Sequence, residues 1–240
     1  MKKLMYAVST ALILSSSAFA QEAIAPESHW YTPLEIGIAS PIQLPPASWI
    51  VGGVRLDLFY GDSYELYGID LGLVGRTRKD FWGVALNGVN WNDGNAYGVQ
   101  LGALANSSLS SVYGVQLASV VNYVYNEMRG VQLAFVNQNG PFYGLQFGAL
   151  NWNRGISYGG QIGLVNSDVN EFNGASIGLI NYAVRSSGAQ IGVVNVSFAG
   201  EGLQLGVFNA AESFEGVQIG VLNIIQKGAM PIMCIVNANF

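Results

Sequence analysis

Glu35, Arg55, Asp57 and Asp70 are the residues of this chain whose types and spacing could do chemistry. Two carboxylates close together can divide acid and base roles, and Asp57 with Asp70 or Glu35 falls on one face of nearby segments if those segments are extended. The arginine suits a second use, in which Arg55 pairs with a carboxylate across strands and the group stabilises itself on an inner face. Other catalytic parts are missing. His29 is the single histidine, so a Ser-His-Asp triad or a multi-histidine zinc site cannot be assembled. Cys234 has no partner for an intrachain disulfide and reads as a small apolar residue in a buried strand. The many glycines match nucleotide loops only superficially, because each opens another strand where such a loop needs a helix. No enzyme activity, catalytic residue, metal or cofactor is expected.

The elements that hold these residues are repeats of G-x-Q-x-G-x-x-N. Clear copies begin at Gly98, Gly144, Gly174, Gly188, Gly202 and Gly216, and weaker ones at Gly53, Gly68, Gly83, Gly114, Gly130 and Gly159. These twelve units follow one another every 14 to 16 residues. Residues one, three and five after the first glycine are apolar or small and never charged, and the third is always large, from Leu56 to Ile219. The second residue after that glycine is of another kind: Arg55, Asp70, Ala85, Gln100, Gln116, Gln132, Gln146, Gln161, Ser176, Gln190, Gln204 and Gln218. This period-two alternation predicts β-strands with one apolar and one small, polar face. Turn signals such as Asp93-Gly94, Asn139-Gly140 and Arg154-Gly155 separate the strands, and most remaining charges gather there. Tyr or Trp precedes the first glycine in many units, as at Tyr67, Trp82, Tyr97 and Tyr143.

Composition points to a protein that hides or does not wet its surface, with 50% apolar and only 10% charged residues. Residues 1–20 read as a secretory signal peptide: Lys2 and Lys3, an apolar run, then Ala18-Phe19-Ala20. Residues 21–48 hold an N-terminal segment with a first strand around Glu35 and a Pro-rich connector, 49–226 the twelve repeat units, and 227–240 a C-terminal strand. Without Lys2 and Lys3, 8 basic residues face 15 acidic ones, which argues against binding nucleic acid or an anionic lipid surface through charge.

Two architectures fit. The leading expectation is an antiparallel transmembrane β-barrel of about 14 strands, one strand per 14–16-residue repeat, with its apolar face on outer-membrane lipid. A strand of about 10 residues, tilted, spans roughly 25 Å, and the aromatic strand ends suit interfacial girdles. Glu35, Arg55, Asp57, Asp70 and the Gln column would then line a lumen, the acidic patch favouring cations slightly. The alternative is a parallel β-solenoid, with the apolar face filling a narrow interior, the Gln face in water and Asn residues stacked at each corner. The uniformity of single units favours it, since a barrel repeat should span two strands. Under either reading Leu205→Asp or Ile219→Asp should impair folding and Gln204→Lys should be tolerated.

The ending IMCIVNANF resembles the C-terminal signature of bacterial outer-membrane barrels, in which a terminal aromatic, here Phe240, is read by the barrel-insertion machinery. The repeats together with PIQLPP, LDLFYG and MPIMCIVNANF resemble a family of uncharacterised surface-repeat proteins from Gram-negative bacteria, over nearly the whole mature chain. Ala85, Ser176 and Gly160 depart from its motif. The resemblance implies an envelope location and carries no activity. The functional expectation is therefore a non-enzymatic outer-membrane barrel, a passive pore or structural envelope protein, with an exported solenoid surface or adhesion protein as the alternative.

Overall fold

A computed structural model describes residues 29–240; the signal peptide expected over 1–20 and the start of the N-terminal segment lie outside them. The strands are β1 (Tyr31–Ala39), β2 (Ile42–Leu44), β3 (Ile50–Ser63), β4 (Glu65–Thr77), β5 (Phe81–Asn92), β6 (Ala96–Ser108) and β7 (Val112–Ala118). They continue as β8 (Val121–Val124), β9 (Met128–Leu133), β10 (Val136–Asn139), β11 (Phe142–Asn153), β12 (Ser157–Leu205), β13 (Phe208–Ile225) and β14 (Ile232–Asn239). The first glycines stack in one parallel register, Gly68 to Gly83, Gly98, Gly114, Gly130, Gly144 and Gly159. The chain is thus a parallel β-solenoid of about 13 turns. At ~4.8 Å per turn the rod is roughly 60 Å long.

The transmembrane barrel is overturned, and with it the porin-like pore. A barrel alternates strand directions, whereas every turn here runs the same way; among the described residues antiparallel pairing occurs only at β1–β2 and β13–β14. β14 pairs with β13 and not with β1, so the two ends of the sheet do not close on each other. One repeat is also not one strand. β9 pairs with residues 142–147 of β11 and β10 with residues 150–153, so a full unit makes two short strands joined by a sharp corner. Fifteen residues can supply one long strand and a turn, or two short strands, a corner and a return turn; period two is the same in both.

The faces differ from the solenoid expectation too. The polar face is inside and the apolar face outside. All thirteen residues stacked from Glu35 through Arg55, Asp70, Ala85 and the Gln column to Gln218 are buried. The apolar residues on their flanks are largely exposed, Leu86, Leu133, Ile162 and Leu205 among them.

Burying this many amides requires partners, and the interior provides them. Asn90, Asn106, Asn122, Asn137, Asn151, Asn166, Asn181, Asn195, Asn209 and Asn223 form a continuous ladder, each donating to the Oδ1 of the next at 2.7–3.0 Å. From Asn106 to Asn209 the second amide hydrogen goes to a main-chain carbonyl of the next turn, from Leu117 to Ile219. Gln116, Gln132 and Gln146 make a shorter ladder from Gln100, and Gln204 and Gln218 another from Gln190. Across the interior, Gln132 and Asn139 exchange hydrogen bonds, as do Gln146 and Asn153. Apolar packing fills the side next to the return turns, where Val51, Leu66, Phe81, Ala96, Val112, Met128 and Phe142 stack as a core column. Full burial of each large member contributes about 1.5–3 kcal/mol.

The first glycine of each unit is required by contact. Gly144 has φ +141°, and a Cβ there would lie 1.9 Å from the carbonyl oxygen of Gly130 one turn below. The rod's sheet edges are closed by short antiparallel strands. β2 folds back on β1, with Gln43 Nε2 donating to Glu35 Oε1 at 3.1 Å and to the Asp62 carbonyl at 2.7 Å. β14 covers β13 at the other end, with Phe240 beyond it 91% exposed.

Candidate functional site

The charged quartet assembles as neighbouring rungs, Glu35 beside Arg55 and Arg55 beside Asp70. Arg55 donates through Nε and Nη2 to both oxygens of Asp70, at 2.7 and 2.6 Å, and through Nη1 to Ser63 and to the Arg76 carbonyl. Its Nε is 3.8 Å from Asp57, and Asn87 donates to Asp70 at 2.6 Å. Burial disfavours the Arg55 charge, but Asp70, Glu35 and Asp57 more than offset it and the guanidinium is held above its ordinary pKa. Glu35 is pushed up to about 8, chiefly by burial and then, against the pull of Arg55, by the neighbouring aspartates. Asp57 is raised for the same first reason. Glu35 Oε2 and both Asp57 oxygens receive no hydrogen bond among the described residues. Glu35, Asp57 and Asp70 are at most 5% exposed, so the acid and base pairing suggested by their types is sealed from any substrate. With no lumen, the quartet also has no ion stream to bias. It is the polar plug of the first turns, filling with a salt-bridge network the space that glutamines fill farther along.

A second buried carboxyl sits mid-rod. Asp168 accepts from Gln161 Nε2 through both oxygens, at 3.1 Å, and from Asn153. Burial pushes it up to about 6, against the opposing effect of these hydrogen bonds. No cluster of metal-ligating side chains occurs among the described residues.

What the molecule offers to the outside is an edge. From first glycine to closing asparagine, the ten units beginning at Gly83 contain no charged residue. Their outward side chains run along the first strand, over the corner and into the second. In one turn, Ile177, Leu179 and Ile180 are 42%, 53% and 39% exposed. The corner position is the part the sequence reading missed. Leu104, Val120, Phe135, Leu164, Leu179, Val193, Val207 and Val221 form it, and all are exposed. Its signal was available, since the residue two before the closing asparagine is apolar in nearly every unit.

Aromatic rings border this edge. On the first strand Tyr67, Trp82, Tyr97 and Tyr113 stack with centroids 3.8–6.5 Å apart, and Tyr143 stacks on Tyr158 at 5.3 Å. Arg129 fills the gap, lying over both Tyr113 and Tyr143. Trp91 and Trp152 occupy the second strand. Charges collect at the return turns, with pairs such as Arg76–Asp93, Lys79–Glu65 and Lys227–Glu212. No protein-family model, curated protein or solved structure matches this chain.

Proposed function

We propose that this chain is an exported, non-enzymatic β-solenoid that serves as a surface or adhesion element of the bacterial envelope. The continuous apolar edge carries this reading. A soluble monomer rarely exposes a contiguous apolar patch beyond a few hundred Å², and larger ones mark contact sites. The buried polar ladders support a scaffold role, because they tie successive turns into a stiff rod. The secretory leader read at residues 1–20 supports export.

Fractionation of expressing Gram-negative cells, combined with protease treatment of intact cells, tests the reading. The chain is expected in the envelope fraction and cleaved in whole cells. Retention in the cytoplasm with its leader intact would overturn it.

A further inference from the structure

We infer that the apolar edge is occupied by lipid, the rod lying along one leaflet of a membrane with its corner column immersed. This rests on the reading of the chain as an envelope surface element and names what that surface touches.

Shape favours a fluid partner over a rigid one. The apolar side chains wrap a convex edge, with Ile177 on one side, Leu179 at the crest and Ile180 on the other. A second copy of the rod could cover either side of that crest but not both. Fluid acyl chains reach both at once. The borders agree with this. A row of Tyr and Trp flanks the edge on the first strand and single rings, Trp91 and Trp152, stand on the second; amphipathic rings of this kind settle at the headgroup level. On the first strand the ring row lies several residues from the corner; on the second, Trp152 lies two residues before Arg154. The lipid surface would therefore cross the rod obliquely, the first strand turned toward the bilayer, at the roughly 5–10 Å depth usual for interfacial segments. No charge falls between the first glycine and the closing asparagine of the ten units beginning at Gly83; Arg129, Glu201 and Glu215 stand in the first-strand border row, at the level of the headgroups, and other charges sit at the return turns, in water.

Backbone polarity raises no objection. Inside the rod each turn's main chain pairs with the turns above and below, which meets the requirement that no unpaired amide face hydrocarbon. With 8 basic against 15 acidic residues in the mature chain, the headgroups are expected to be neutral rather than anionic.

The mature chain is floated with phosphatidylcholine vesicles, alone and with a share of anionic lipid. It should rise with neutral vesicles, stay bound in about 1 M salt, where charge attraction is screened to ~3 Å, and gain nothing from anionic lipid. A triple substitution along the crest, Leu104→Asp, Val120→Asp and Phe135→Asp, should cut binding by about tenfold or more, since charges in hydrocarbon are costly. Its circular dichroism and melting should stay near those of the parent. A second measurement removes the native thiol with Cys234→Ser and places an environment-sensitive dye at Phe135→Cys or Ser187→Cys. Only the dye at 135 should shift to the blue on vesicles. Failure of the folded protein to float, or equal shifts at both sites, overturns the lipid occupant. So does a detergent-free dimer that the crest triple converts to monomer, because the edge then covers itself. Cytoplasmic retention in cells would instead strike the surface reading, whatever the vesicles show.

Discussion

Asn151 donates one amide hydrogen to Asn166 Oδ1 at 2.8 Å and the other to the main-chain carbonyl of Ile162 at 3.1 Å, so one side chain fastens its own turn to both strands of the next. It also accepts from Asn137 below. Replacing Asn151 by Ala leaves a donor, an acceptor and a main-chain carbonyl buried without partners. At about 1–3 kcal/mol per orphaned group, the variant should lose several kcal/mol, seen as a fall in the urea midpoint. Asn151→Asp should do no better, because it keeps an acceptor and supplies neither lost donor.

The inversion of the two faces can be tested at adjacent positions. Gln204 is fully buried and Leu205 is 41% exposed. Gln204→Lys buries an unpaired charge and should cost about 3 kcal/mol or more. Leu205→Asp should change stability by about 1 kcal/mol or less. Thermal melts of the two variants compare these directly, and the order is opposite to the one drawn from the alternation alone.

Gly144→Ala combines a disfavoured φ with a Cβ thrust against the Gly130 carbonyl. A loss of about 2 kcal/mol or more is expected, whereas Ala149→Ser, on the outer side of the same turn, should be neutral. Denaturant titration distinguishes them.

Arg55 and Asp70 should behave as a coupled pair. Arg55→Gln alone leaves Asp70 buried without its counter-ion and should cost about 3–5 kcal/mol. The double substitution Arg55→Gln and Asp70→Gln restores the residue type of the later turns and should recover most of that loss. A double-mutant cycle on urea midpoints gives the coupling.

Asp168 makes stability depend on pH. Its folded pKa of about 6 lies above the ordinary 3.8, so the native state holds the proton more tightly than the unfolded chain. Its contribution is complete below about pH 4 and is lost as the pH rises toward 6, by up to about 3 kcal/mol at ~1.4 kcal/mol per unit. Asp168→Asn should flatten this slope and raise the melting temperature at pH 7.5. Gln161 Oε1, which has no partner in the parent, can then accept from the new amide.

Much of this fold was written in the order of residues. The unit length, its two-residue alternation and the membership of each face follow from local chemistry, because a strand directs successive side chains to opposite sides whatever it packs against. The stacking of Glu35, Arg55 and Asp70 as one column was legible for the same reason. Direction and sidedness were not. Alternation is unchanged when a strand is turned over, so Gln204 inside and Leu205 outside reads the same as the reverse. Only stacking in parallel register brings Asn137, Asn151 and Asn166 to hydrogen-bonding distance, and that ladder is what makes a polar interior stable and sends the leucines out. The corner at Gly148 likewise has meaning only once the turn closes, when residues 142–147 and 150–153 face each other across the amides they share.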